Sequence, residues 1–281
     1  MSLSRRALFG LSIAALAQRP KPRPNVVFVM TDDHSAWATG AYGCKDIHTP
    51  NIDALARGGV KFTRAFACTP VCSPSRLTYM SGCVPSVHGV QDWLRPEDAF
   101  GPTARPWLEG LTIFPEVLAR NGYRCGMVGK WHMGNDEQAQ RGFTYWATVP
   151  GGGGPYKDVT YVKNGQTVPY KGFKEDAIGD FALEFLREHD GSSPFYLQMP
   201  FYAPHTPLDF QPEEDRAPYA NSEFSCYPDT PKHANQNPAM GSHHGKRASK
   251  LGYSALITAA DRNIGRVLKL IEERGWRDNT I

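Results

Sequence analysis

The sequence predicts an α/β fold: a largely parallel central sheet with helices on both faces. Two observations carry this reading. Short apolar, often β-branched runs, such as Asn25 to Met30 and Phe195 to Met199, lack polar alternation and read as strands buried on both faces. Longer segments with apolar residues at helical spacing lie between them, so strands and helices alternate along the chain. With 281 residues, 41% hydrophobic and 21% charged, the chain has the length and composition of a globular protein with a sizeable core. Arg5 and Arg6 supply two of its three net positive charges, and the rest carries no basic footprint for nucleic acid.

Ser4-Arg5-Arg6-Ala7-Leu8-Phe9-Gly10 is a twin-arginine pattern, followed by an apolar run from Leu11 to Leu16 and a small-x-small cleavage site at Ala15-Leu16-Ala17. Residues 1–17 are therefore expected to be an export signal, which places the mature chain in a periplasm or outside the cell. The run is well short of the roughly 20 residues a membrane span needs, and no later stretch approaches that length. Cysteines at 44, 68, 72, 83, 125 and 226 would suit disulfides in such a compartment. No Cys-x-x-Cys or zinc-like spacing occurs, and the pairing is not readable.

The first strand, Asn25 to Met30, ends in Thr31-Asp32-Asp33-His34. Two adjacent carboxylates at the end of a buried strand suit either a solvated turn or a cation held by oxygen ligands. Next comes a helix with Thr49 as its cap, Pro50 at its first position, Ile52, Leu55 and Ala56 on its apolar face and Gly58-Gly59 as its stop. Asn51 and Asp53 read as structural. Val60 to Phe66 alternates like a strand and leads into a helix that begins at Cys72. Cys72 would face the positive end of that helix dipole, with Arg76 one turn on and placed to hold an oxyanion bidentately. For the cysteine alone, a buried structural role is the plainer reading.

A helix from Thr112, carrying Val117 and Leu118, ends at Asn121-Gly122, and a strand from Tyr123 to Val128 follows. Just past it, Lys130 and His132 lie between glycines and would converge two cationic groups on one anion. Residues 143–173 read as loop. Gly151 to Gly154 read as a flexible surface stretch, because no Walker-type Lys-Ser/Thr accompanies them. A helix from Glu175 to His189 leads to the strand Phe195 to Met199 and then to His205, boxed by prolines. That rigid setting suits either a positioned catalytic histidine or a structural turn. Residues 208–250, with His243-His244, read as a long polar loop. The last helix, Tyr253 to Arg274, carries a continuous apolar stripe that should pack across the sheet, and Asn279-Thr280-Ile281 reads as the entry to a further strand.

In parallel sheets, ligands gather at the carboxyl ends of the strands. Asp32, Asp33, Lys130, His132 and His205 all fall there. The combination describes a metal-assisted site for a tetrahedral oxyanion ester.

With those positions in place, Cys72-Ser73-Pro74-Ser75-Arg76 and the stretch from Gly122 to Gly129-Lys130-Trp131-His132 make the chain resemble the formylglycine-dependent sulfatases of the alkaline-phosphatase-like superfamily. Thr49-Pro50-Asn51, Pro85-Ser86-Val87-His88-Gly89 and Pro204-His205 also fall where that family has them, while Tyr79 stands where an aliphatic is usual. The resemblance implies an alkaline-phosphatase-like catalytic domain over residues 24–281 that hydrolyses sulfate esters, sulfated carbohydrates foremost. It implies that a formylglycine-generating or sulfatase-maturing enzyme oxidises Cys72 to formylglycine, whose hydrate attacks sulfur and expels the alcohol. Asp32 and Asp33, with an oxygen of modified residue 72, would bind one calcium ion. Arg76 would steady the diol and the metal site. Lys130 and His205 would contact sulfate oxygens or protonate the leaving group, and His132 would assist elimination of sulfate.

The family completes its metal site with an Asp-Asn pair on a strand after the long last helix and adds a smaller C-terminal subdomain. This chain stops at Ile281. It is therefore expected to be C-terminally truncated, to lack the final strands, to bind calcium poorly and to turn over slowly or not at all. The rival readings are a phosphodiesterase or phosphonate hydrolase of the same superfamily and a non-catalytic exported binding protein. Trp93, Trp146 and Tyr202 read as either sugar-stacking or core aromatics.

Overall fold

The computed structural model describes residues 22–231 and 245–281, so the expected export signal and His243-His244 lie outside the described residues. Strands β1 (Val26–Met30), β2 (Arg124–Gly129), β3 (Tyr145–Thr148), β4 (Lys157–Lys163), β5 (Gln166–Phe173) and β6 (Phe195–Pro200) form one sheet in the order β1-β6-β2-β3-β4-β5. The first four in that order run parallel, and β4 and β5 add an antiparallel hairpin at the edge. The segment expected to be loop thus holds three strands. Asn164-Gly165 turns the hairpin with φ of 48° and 81°, the two left-handed residues that a tight two-residue turn demands. That dipeptide was the readable signal for it.

Side-chain alternation puts a separate core on each face of the sheet. Val128, Tyr145, Ala147, Phe195, Leu197 and Met199 face helices α4 (Lys174–Arg187) and α5 (Arg247–Glu273). Their neighbours Cys125, Met127, Trp146 and Tyr196 face α2 (Cys72–Ser81) and α3 (Phe114–Arg120) through Leu77, Met80 and Leu118. The sheet is therefore covered on both faces, as a parallel sheet must be. The stripe of α5 is buried through Leu256, Ile257, Ala260, Ile264, Val267 and Ile271, and the helix begins at Arg247, earlier than expected. Tyr79 lies over Phe28 with ring centroids 5.0 Å apart, and its hydroxyl accepts the Gln198 amide N–H at 2.6 Å, so its polar tip is satisfied.

Two local expectations are corrected. Val60 to Phe66 forms no strand: no partner strand lies alongside, and Phe62 and Phe66 are 70% and 88% exposed. Thr49 does not cap helix α1 (Pro50–Gly58), because its hydroxyl is committed to Asp53 and to the Gly40 N–H. The orphan N–H groups of Asn51 and Ile52 donate instead to the Asp261 carboxylate of α5, at 3.1 and 2.8 Å. At the outer edge of β1, Thr280 pairs in parallel with Asn25, and the Val27 N–H reaches the Ile281 carbonyl at 2.8 Å. Residues 279–281 do enter the sheet.

Cys44 and Cys226, 182 residues apart, form a disulfide, leaving Cys68, Cys72, Cys83 and Cys125 free. A crosslink closing so long a loop restricts the unfolded chain. The Cys44→Ser/Cys226→Ser pair is expected to lose about 2–4 kcal/mol in denaturant unfolding, and reductant should then leave its midpoint unmoved. Among the described residues no helix is long and apolar enough to cross a membrane.

Candidate active site

Backbone hydrogen bonds lash three strand ends together. The Asp32 N–H donates to the Ala203 carbonyl at 3.0 Å, Phe201 to Met30 at 2.8 Å and Lys130 to Pro200 at 2.8 Å. The segments leaving β1, β2 and β6 therefore emerge side by side, carrying Asp32-Asp33, Lys130 and His205. Helix α2 starts beside them, held by the Leu94 N–H on the Ser73 hydroxyl at 3.0 Å and closed by Gly82 at φ 70°. Asp32, Asp33, Cys72, Ser75 and Arg76 line one cleft of about 490 Å³.

Arg76 and Asp32 form the centre of the charge arrangement, 2% and 6% exposed. Arg76 Nη2 meets Asp32 Oδ2 at 3.0 Å, and Lys130 Nζ meets the same oxygen at 2.7 Å. Burial by itself would raise the Asp32 carboxyl, but Arg76 and Lys130 outweigh it and hold it down at about 2. Arg76 Nη1 donates to the Lys130 carbonyl at 2.6 Å. Both terminal nitrogens thus hold protein oxygens, where the sequence suggested a fork open to an oxyanion. Its buried Nε has no partner among the described residues.

Asp33 is in a different state. Burial and the Asp32 charge both push its carboxyl upward, opposed by His205, Lys130 and Arg76. Its φ of 60° turns it out of line with Asp32, and the Tyr253 hydroxyl of α5 fixes the turn by donating to the Asp33 carbonyl at 2.8 Å. His205 Nε2 lies 3.8 Å from Asp33 Oδ2, while its Nδ1 sits 2.6 Å from the Thr206 carbonyl and its ring lies beside Tyr202. Tyr202 in turn takes Lys174 Nζ at 3.8 Å and Lys130 Nζ at 4.9 Å from its ring centroid.

His132 is buried, and its Nε2 is 2.8 Å from the Leu94 carbonyl. Burial and then the Lys130 charge pull its imidazolium down to about 3, so the ring is neutral at physiological pH and not the second cation expected. Its Nδ1 is buried without a partner among the described residues. Its backbone is left-handed at φ 57°, which costs a residue with a Cβ roughly 1 kcal/mol. The glycine run expected to be flexible packs directly under it: a Cβ on Gly152 would lie 2.3 Å from the imidazole Cγ.

Asp136, four residues on, is marked by no motif in the sequence. It is fully buried, and burial pushes its carboxyl up to about 7 against the opposing N–H groups of Gly151, His132 and Gly134 and the charge of Arg76. An unfolded aspartate ionises near 3.8, so the folded state holds a proton that the unfolded chain releases between about pH 4 and 7. Stability contributed by this group is full below pH 4 and declines as pH rises to 7, by at most about 4 kcal/mol. Denaturant unfolding across pH 4 to 8 should show wild type losing ground to Asp136→Asn over that window, with no further divergence above it.

The donor chemistry bears on the cation and the modified residue expected here. Asp32 and Asp33 are hard oxygen ligands, and the Asp33 carboxyl still feels the charge of Asp32, which fits a divalent cation such as calcium in kind. They fall short in number: no group of three or more His, Cys, Asp or Glu comes together to hold a metal among the described residues. Cys72, half-buried, free of any disulfide and on the cleft wall at the start of α2, fits a nucleophile position. Trp146 and Tyr202 are core residues, while Trp93 is 52% exposed next to Leu94.

The family profile described as Sulfatase matches residues 24–281. This chain belongs to the sulfatase family. Among curated sulfatases it is 33% identical over 203 residues to the N-acetylglucosamine-6-O-sulfatase of Bacteroides thetaiotaomicron, covering 70% of this chain and 34% of that protein. It is 28% identical over 279 residues to the ulvan-active sulfatase of Formosa agariphila, covering 96% and 51%. Among solved structures, Ps i-CgsB in complex with k-i-k-neocarrahexaose superposes with a TM-score of 0.75 at 27% identity, covering 92% of this chain and 57% of that one. The chain thus spans about a third to a half of the curated relatives' length, and the fold is the alkaline-phosphatase-like α/β fold of sulfatases.

Proposed function

We propose that the protein hydrolyses sulfate esters of carbohydrates, with residue 72 as the site of the nucleophile. The observation that carries this is the convergence of Cys72, Arg76, Asp32 and Asp33 on one cleft, at the lashed strand ends that also bear Lys130. The names of the relatives support the substrate class: N-acetylglucosamine-6-O-sulfatase, an ulvan-active sulfatase and a structure holding a carrageenan oligosaccharide.

Oxidised by a maturing enzyme to formylglycine and hydrated, residue 72 would supply two hydroxyls, one to attack sulfur and one to expel sulfate. Asp32 and Asp33 would hold calcium, which when bound would polarise a sulfate oxygen. The remaining chemistry belongs to the chain. Arg76 holds Asp32 ionised and ties it to the Lys130 backbone, so the anionic and cationic walls of the cleft keep one spacing. Lys130 would supply a positive charge to a sulfate oxygen. His205, whose Nε2 lies 3.8 Å from Asp33, would give the departing alcohol its proton. His132, neutral and with its buried Nδ1 unpartnered among the described residues, would accept a proton as sulfate leaves. Export to a periplasm or the cell exterior belongs to the same proposal.

The test uses the full-length protein co-expressed with a formylglycine-generating enzyme. The Cys72 peptide is expected to carry the aldehyde mass, and aryl sulfate turnover should exceed aryl phosphodiester turnover. An intact thiol together with no sulfate release would end the catalytic reading, and a preference for the phosphodiester would move the protein to its phosphate-cleaving relatives.

A further inference from the structure

We propose that Asp136 is a positioning residue that sets the orientation of His132 by holding the glycine run that packs against its ring. Asp136 stands on a fixed base. Its own N–H donates to the Ala99 carbonyl at 3.0 Å, and its carbonyl accepts the Trp146 indole N–H at 3.1 Å and the Thr148 hydroxyl at 2.8 Å. Trp146 and Thr148 belong to β3, so the residue is mounted on the sheet itself. From there Oδ2 accepts the Gly151 N–H at 2.9 Å, while Oδ1 is buried without a hydrogen-bond partner among the described residues and the N–H groups of His132 and Gly134 act on the carboxyl electrostatically.

All three N–H groups come from residues in the left-handed region, with φ of 57° at His132, 87° at Gly134 and 77° at Gly151. Through Gly151 the Asp136 carboxyl joins the turn that carries His132 to the glycine run. Gly152 then closes against one side of the imidazole, while the Leu94 carbonyl holds Nε2. Asp136 does not line the cleft and is 0% exposed, so it has no path to substrate and acts through His132.

The experiment uses the full-length, matured enzyme and rests on the sulfatase reading only for its turnover arm. Asp136→Ala and the shape-conserving Asp136→Asn are each made in wild-type and His132→Ala backgrounds. Melting temperature and the NMR resonances of ring-labelled histidines are followed, with His132 assigned by its loss in His132→Ala. The His132 ring resonances are expected to shift in both Asp136 variants while those of His34 and His88 stay in place. On an aryl sulfate, kcat is expected to fall about 10- to 100-fold with KM changed less than about twofold, as a misplaced catalytic group predicts. In the His132→Ala background the same substitutions should cost less than about twofold more, because the two act as one unit. An unmoved His132 resonance in Asp136→Asn, or full additivity of the kcat losses, would overturn the proposal. If wild type releases no sulfate, the functional reading fails separately and the resonance arm alone decides the positioning role.

Discussion

Turnover of an aryl sulfate by the full-length protein is expected to fall on the order of a thousandfold or more when Cys72 is replaced by Ala, with substrate affinity changed little. The Cys72 side chain is half-buried on the cleft wall and makes no structural bond that its loss would break. The large effect would therefore report chemistry and not folding, and an unchanged melting temperature should accompany it. Cys72→Ser sharpens the result. Kept unmodified, it has one hydroxyl and lacks the second that would expel sulfate, so it is expected to accept at most one sulfo group and stop. Steady turnover by either variant would remove residue 72 from the mechanism.

The second large effect is on stability. Arg76→Leu is expected to destabilise the fold by about 3 kcal/mol or more in calcium-free buffer, because Asp32 stays buried after losing one of its two cationic partners. The magnitude follows from asymmetry: a buried pair contributes little net, whereas half of one is costly. Asp32→Asn should cost less in the Arg76→Leu background than in wild type, because it then strips the carboxylate from Lys130 alone and not from both cations. Denaturant unfolding of the two single variants and the double variant measures the coupling. Simple addition of the two losses would show that the pair is not what holds these segments together.

The parts of the site that could be read in the sequence are those whose chemistry is tied to position on a strand. Asp32, Lys130 and His205 each follow a mostly apolar strand, and the end of such a strand is where a parallel sheet presents its residues. Cys72 and Arg76 were readable because a short local motif places both at one helix start. What escaped is set by contacts between segments remote in sequence. Nothing near Arg76 announces that its guanidinium would be taken up by Asp32 and the Lys130 carbonyl. Nothing near Gly152 announces an imidazole one contact away. His132 read as a cation because sequence carries no burial, and burial decides its charge. The alternation of Val60 to Phe66 misled for the converse reason: a strand needs a neighbour, and none comes alongside. The Asn164-Gly165 turn, by contrast, was legible, and only the apolar sparseness around it hid the hairpin.

Two side chains of the last helix reach back to the first elements of the chain. Asp261 satisfies the exposed N–H groups at the start of α1, and Tyr253 grips the turn that carries Asp33. During synthesis from the N-terminus, the carboxylate pair emerges more than two hundred residues ahead of the helix that fixes it. The turn that carries Asp33 therefore gains its Tyr253 bond only once the helix that begins at Arg247 has been made.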